Sequence, residues 1–193
     1  MQLRKLASLF VMLAALWGIS PAFAAEPEDT MIITLKDGDV VIALRPDLAP
    51  KHVAQIKKLV REGAYDNVAF HRVMAGFMAQ TGDVQFGDMV DGYNSQRAGM
   101  GGSALPDLPA EFSDVPYVRG VVGMARAQDP DSANSQFFIM LAPNEGLNGQ
   151  YTVVGVVESG MEFVDNIKKS DNPQTGAVVD PDRMVKVRIA ADD

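Results

Sequence analysis

Two residues able to do chemistry, Arg72 and Gln80, stand eight positions apart in a stretch otherwise dominated by Phe70, Phe77 and Met78. A cation in such company calls for a partner or a substrate, because taking a lone charge out of water is costly. Arginine holds its charge and offers a rigid fork of donors, which suits it to polarising a neutral acceptor. The remaining inventory narrows the chemistry. There is no cysteine, and the histidines are His52 and His71 alone. Disulfides, thiolate nucleophiles and Cys-ligated metals are excluded, and little is left for a histidine metal site. No Gly-x-Ser-x-Gly elbow occurs, so a hydrolase is poorly supported. Asp129-Pro130-Asp131 could open a calcium loop, but its sixth and twelfth places hold Asn134 and Met140 instead of Gly and Glu. Chemistry here must come from arginine, amides, aromatics and carboxylates, and neither metal nor cofactor is expected.

Such residues need elements to hold them. The runs on either side of Gly76 read as two strand ends joined by a tight bend. Upstream, Met31-Ile32-Ile33-Thr34-Leu35 and Val40-Val41-Ile42-Ala43-Leu44 bracket an Asp37-Gly38 hairpin turn. Pro50 opens a helix whose Val53, Ile56, Leu59 and Val60 share one face, and Gly63 stops it. His52, early in that helix, is assigned a surface or packing role. Residues 84–109 carry Gly87, Gly92, Gly99, Gly101, Gly102, Pro106 and Pro109 with no surviving period, which predicts a long loop, functional or disordered. It has neither Walker nor dinucleotide spacing, so a phosphate cradle is disfavoured.

Beyond the loop, residues 120–125, 135–141 and 151–157 read as buried strands. Met161, Val164 and Ile167 recur at helical spacing, with Lys168-Lys169 at the C-terminal end. A last strand over 184–190 sets Val185, Val187 and Ile189 against Lys186 and Arg188. Many short strands, two helices and no repeat predict a mainly β barrel or sandwich with helical caps.

The stretch Phe70-His71-Arg72-Val73-Met74-Ala75-Gly76-Phe77-Met78-Ala79-Gln80-Thr81-Gly82-Asp83 resembles the cyclophilin pattern Phe-His-Arg-x-x-x-Gly-Phe-x-x-Gln-x-Gly-Asp at every fixed place. Met124-Ala125-Arg126-Ala127 followed by Ser132-Ala133-Asn134-Ser135-Gln136-Phe137-Phe138-Ile139 is similar to a second run of the same family. Gly146-Leu147-Asn148-Gly149 with Val153-Val154-Gly155 is a looser third match. The resemblance spans residues 31–189. It implies a closed eight-stranded antiparallel barrel capped by two helices, as one domain over 25–193, and peptidyl-prolyl cis–trans isomerase activity on proline-containing polypeptides. It also implies roles: Arg72 and Gln80 as catalytic, and Phe77, Met78, Phe138 and Leu147 as the floor of a proline pocket. Gln136 and Tyr151 join them, with His71 in binding or packing. The main chain of Ala125, Arg126 and Ala127 becomes the docking edge for the residue before proline. Phe70, Phe137 and Ile139 are expected in the core.

The chemistry fits. Turning an amide breaks its resonance, against a barrier of about 18–20 kcal/mol. At X–Pro the two isomers are close in energy yet exchange over tens to hundreds of seconds. No covalent bond forms, so no nucleophile or base is needed; the catalyst must bind the twisted amide better than either planar form. Twisting frees the prolyl nitrogen lone pair, and a cationic donor such as Arg72 stabilises it. Two departures stand out. Where the family often has Trp this chain has Gly146, which argues for weak cyclosporin binding, and where it often has His this chain has Tyr151. A proline-peptide binding module with little turnover is the alternative; keeping both Arg72 and Gln80 speaks for catalysis.

The N-terminus reads as an export signal: Arg4-Lys5, an apolar run from Leu6 to Ile19, then Ala22-Phe23-Ala24 as a small-x-small cleavage site. That 14-residue, mostly apolar run is short of the ~20 residues that span a bilayer. Cleavage after Ala24 would leave no membrane anchor and predicts a periplasmic protein, expected as a monomer. Losing Arg4 and Lys5 leaves 15 basic residues against 25 acidic ones, a net charge of −10. That charge repels phosphate backbones, so nucleic acid is not an expected partner.

Overall fold

The hairpin forms where Asp37-Gly38 turns the chain: β1 (Thr30–Thr34) and β2 (Asp39–Leu44) pair antiparallel from Thr30↔Ala43 to Thr34↔Asp39. Their inward residues Met31, Ile33, Val40, Ile42 and Leu44 are all buried. The structure, a computed structural model, describes residues 25–192, so the export segment 1–24 lies outside the described residues. Pro50 starts α1 (Pro50–Arg61), which buries Val53, Ile56, Leu59 and Val60 as its spacing predicts. Each such side chain contributes about 1.5–3 kcal/mol on burial.

The N-terminus of α1 has no capping side chain of its own at Ala49. Glu111 supplies one from a distant loop, accepting the main-chain N–H groups of Lys51 and His52 and lying 2.7 Å from His52 Nδ1. Burial pushes the Glu111 carboxyl up, but the hydrogen bonds from the His52 ring and these N–H groups outweigh it and hold it below the usual range. His52 is fully buried, so of the two roles expected it has the packing one.

Six more strands follow: β3 (Arg72–Met74), β4 (Met78–Thr81), β5 (Val121–Met124), β6 (Phe137–Met140), β7 (Val153–Ser159) and β8 (Lys186–Ile189). With β1 and β2 they form one eight-stranded antiparallel sheet in the order β3-β4-β6-β5-β7-β2-β1-β8. The sheet curls but stays open, which corrects the expected closed barrel. The two edge strands share no ladder. Among the described residues the seam is crossed by isolated bridges, Ala69↔Arg183 and Arg72↔Ala177, and the main-chain hydrogen bonds flanking them, not by a continuous ladder. The cause is local: Gly176 (φ +74°) and Asp180 (φ +52°) turn the segment facing β3 out of extended geometry.

The second helix, α2 (Met161–Asn166), is shorter than expected, because Ile167 leaves helical geometry. Lys168-Lys169 therefore lie beyond it, and the Lys168 main-chain N–H donates to Asp182. The final strand is shorter too. Val185 lies outside it at 40% exposure, whereas Val187 and Ile189 are buried. Among the described residues no helix is long and apolar enough to cross a membrane.

Alternation along the central strands builds two apolar clusters, one on each face. From β6, Phe137 and Ile139 enter the main core, while Phe138 and Met140 enter a smaller cluster with Met78, Tyr117, Val121 and Val153. Phe70 lies in the main core as well, as expected of all three core aromatics and aliphatics. Of the expected site residues, Met78 and Phe138 belong to the smaller cluster, and Phe77, Ala125, Leu147 and Tyr151 pack against it.

The long loop is tied down through Asp83. Its fully buried carboxylate accepts the N–H groups of Gln85, Phe86, Gly99 and Gly101 at 2.7–3.1 Å. A Cβ on Gly101 would come within 2.4 Å of that carboxylate, so glycine is required there. Asn134 holds the next part, accepting from the Ser103 N–H at 2.7 Å and donating to Leu105 O at 2.9 Å.

Candidate active site

Phe70 and Val73 both face the main core although they are three residues apart. Strand alternation therefore slips by one between them, and this sends Arg72 to the opposite face, half-buried. From there a register row crosses the sheet: Arg72 opposes Gln80, Gln80 opposes Phe138, and Phe138 opposes Gly123. Cation, amide and aromatic ring thus stand side by side on neighbouring strands. Gly123 leaves room beside Phe138, since a Cβ there would meet the Phe138 ring at 2.7 Å and the Tyr117 hydroxyl at 2.5 Å.

A pocket of about 130 Å³ opens over this row. Phe77, Met78, Phe138 and Leu147 give it apolar surface, Tyr151 stands at its side, and Arg72 and Gln80 border it. Phe138 is fixed from two directions. Tyr117 stacks on it at 5.7 Å, and Tyr151 meets it edge-on at 5.8 Å. The Arg126 guanidinium lies 4.6 Å from the Tyr151 ring and donates to Gln150 O and Ala127 O, so it braces that wall.

Arg72 is held by three acceptors. Its Nε donates to Thr175 O at 2.9 Å, Nη1 reaches Gln80 Oε1 at 3.4 Å, and Nη2 lies 3.2 Å from Met74 Sδ. Partial burial pushes its pKa down, opposed by the Tyr151 hydroxyl, but arginine starts so high that its charge is kept. Gln80 Nε2 donates in turn to Gln136 Oε1 at 3.0 Å, and Gln136 Nε2 to Gly101 O at 2.8 Å. Each amide is oriented by the next, and the chain ends on the long loop.

The remaining assigned residues lie nearby. Ala125 and Arg126 line the small pocket and, with Ala127 and Gln136, a neighbouring cavity of about 490 Å³. The Ala125 N–H donates to Gln136 O and the Ala127 N–H to Ser132 Oγ, so both are engaged inside the protein. His71 borders neither cavity. It is buried beneath the long loop, where a Cβ on Gly99 would lie 3.0 Å from its ring. Burial pushes the His71 imidazole below its ordinary value, with Asp83 opposing, so it is neutral near pH 7. Of the two roles expected of His71, the geometry favours packing.

Sequence reasoning missed Tyr117, Met74 and the Thr175 carbonyl. Tyr117 lies in an irregular stretch with no period to mark it, and a carbonyl carries no sequence signal. Among the described residues no cluster of His, Asp or Glu is arranged to hold a metal ion.

Residues 30–189 match the family model described as cyclophilin type peptidyl-prolyl cis-trans isomerase. A protein of Brucella suis named probable peptidyl-prolyl cis-trans isomerase is 63% identical over 96% of this chain and 94% of its own length. Peptidyl-prolyl cis-trans isomerase A of Dickeya dadantii is 34% identical over 90% of this chain and 88% of its own. Among solved structures, a cyclophilin from Hirschia baltica superposes with a TM-score of 0.72 at 26% identity, covering 88% of this chain and 76% of that one. A Cryptosporidium parvum cyclophilin, crystallised in the presence of the dipeptide Ala-Pro, gives 0.70 at 25% identity, covering 83% and 98%.

Proposed function

The chain belongs to the cyclophilin-type peptidyl-prolyl cis-trans isomerases, and on that premise we propose that Arg72 promotes rotation about X–Pro bonds of exported polypeptides. The observation that carries this reading is the row Arg72–Gln80–Phe138 beneath the small pocket. Proline binds on Phe77, Met78, Phe138 and Leu147, and its ring displaces water from the Arg72 guanidinium. Lower local polarity strengthens the donor–lone-pair interaction as the amide twists. A ~10⁵-fold acceleration requires these groups to favour the twisted state by about 7 kcal/mol together. Gln80 and Gln136 aim the guanidinium and take no part in proton transfer. With the Ala125 and Ala127 N–H groups engaged internally, the Arg126 main chain between them is the part of the edge that pairs with the residue before proline.

The test is a coupled proline-isomerisation assay on the protein lacking residues 1–24. Accelerated exchange of an X–Pro peptide is expected. Binding of that peptide without acceleration would identify a binding module instead.

The client class follows from the N-terminal pattern, a basic start, an apolar run and Ala22-Phe23-Ala24, which supports export and cleavage. The working protein is then the single domain 25–193, a periplasmic monomer acting on unfolded exported chains. N-terminal sequencing of native protein from the periplasmic fraction should begin at Ala25; a cytoplasmic protein beginning at Met1 would refute this assignment.

A further inference from the structure

We infer that Asn172, which lines neither cavity of the site, is a positioning residue that sets the aim of the Arg72 guanidinium through the loop 170–177. The inference rests on the role proposed for Arg72. Its starting point is the shortest contact Arg72 makes, Nε to Thr175 O at 2.9 Å. A main-chain carbonyl can orient a guanidinium only if its own peptide is fixed, yet Thr175 is exposed and sits outside any strand or helix. Asn172 fixes it. Its Oδ1 accepts the N–H groups of Gln174 at 3.0 Å and Thr175 at 3.3 Å, and its main-chain oxygen accepts the Gly176 N–H at 2.8 Å. Such Asn-centred turns shape a loop through one side-chain oxygen.

The loop is then clamped to β3. The Val73 N–H donates to Gly176 O at 2.9 Å and the Val178 N–H to His71 O at 3.0 Å, on either side of the Arg72↔Ala177 bridge, and the Ser170 N–H donates to Val73 O at 2.9 Å. Gly176 permits this approach. Its φ of +74° suits glycine, and a Cβ there would come within 2.6 Å of Met74 Cγ and 3.0 Å of Arg72 Cγ. Arg72 therefore has its stem against Gly176 and its Nε on Thr175 O, while Gln80 meets it from the other side only at 3.4 Å. Of these two directions, the loop makes the closer contact. Because Asn172 is itself exposed, its side chain can be changed without opening the core.

The experiment is a double-mutant cycle read as kcat/KM in the coupled assay, with thermal unfolding followed in parallel. Asn172→Ala should lower kcat/KM about three- to tenfold, since small misplacements of a catalytic group are expensive. Asn172→Asp keeps the oxygen that accepts both N–H groups and should stay within about twofold of wild type. In an Arg72→Ala background Asn172→Ala should change the residual rate by less than about twofold, because its effect passes through the missing guanidinium. Equal losses in both backgrounds would mark a general structural role and overturn the proposal. So would an undiminished Asn172→Ala, or an Asn172→Asp as slow as Asn172→Ala. Arg72→Ala alone separates the two readings. If it is as fast as wild type, the Arg72 assignment falls and takes this one with it; if it is slow while Asn172→Ala is fast, only the present proposal falls.

Discussion

Cyclosporin should inhibit this isomerase at least ~100-fold more weakly than it inhibits relatives carrying Trp at the place of Gly146, while catalysis on short proline peptides is retained. An indole there lines the drug's contact surface and donates a hydrogen bond. Gly146 is exposed on the short 3₁₀ turn Glu145–Leu147 and offers neither. A buried aromatic contributes about 150–250 Å² of contact, and one hydrogen bond about 1 kcal/mol net. Losing both amounts to several kcal/mol, where ~1.4 kcal/mol is tenfold in affinity. On the proposed reading a small substrate is expected on Phe77, Met78 and Phe138, in a pocket that Gly146 does not line. Gly146→Trp should restore part of the sensitivity. Full restoration is not expected, because a Cβ at this position lies 3.1 Å from Asn144 Oδ1, the atom that caps the turn, so Asn144 must give way. An inhibition titration decides the matter: nanomolar block of the wild type would overturn the prediction.

Arg72→Ala should slow catalysed isomerisation at least ~10-fold and leave the protein folded. The loss follows from removing a donor that acts on the twisted amide, an interaction of about 1.4 kcal/mol or more in the transition state. The fold should survive because Arg72 is half-buried and outside the main core, whose neighbouring contacts come from Phe70 and Val73. His71→Gln should cost less activity. A neutral imidazole buried under Gly99 holds no proton that this reaction needs. Rates compared at equal folded fraction test both. An Arg72 variant as fast as wild type would mean that the pocket, rather than the cation, drives rotation.

Much of this was legible in the residues. Alternation and turn chemistry placed the β1–β2 hairpin, the buried face of α1 and the doubly buried β6, because each depends on neighbours in sequence. The family resemblance pointed to Arg72, Gln80, Gln136 and Phe138; the sheet sets Arg72, Gln80 and Phe138 side by side, and a hydrogen bond ties Gln136 to Gln80. Composition alone ruled out thiol chemistry.

Other features depend on contacts between distant segments, which no local pattern encodes. The open seam of the sheet follows from the left-handed backbone at Gly176 and Asp180, where a ladder would otherwise form. The slip between Phe70 and Val73 reverses the face of Arg72, and strict alternation would have put it in the core. Asp83 gathers four N–H groups from residues up to 18 positions away, and Glu111 caps a helix from 60 positions away. The aim of Arg72 rests on a main-chain carbonyl at Thr175, an atom every residue type possesses. Sequence therefore determined which groups are available and which face β1, β2 and β6 bury, but not the face on which β3 presents Arg72. Tertiary structure alone decided where the guanidinium points, because that direction is set by backbone atoms brought together across 103 residues of chain.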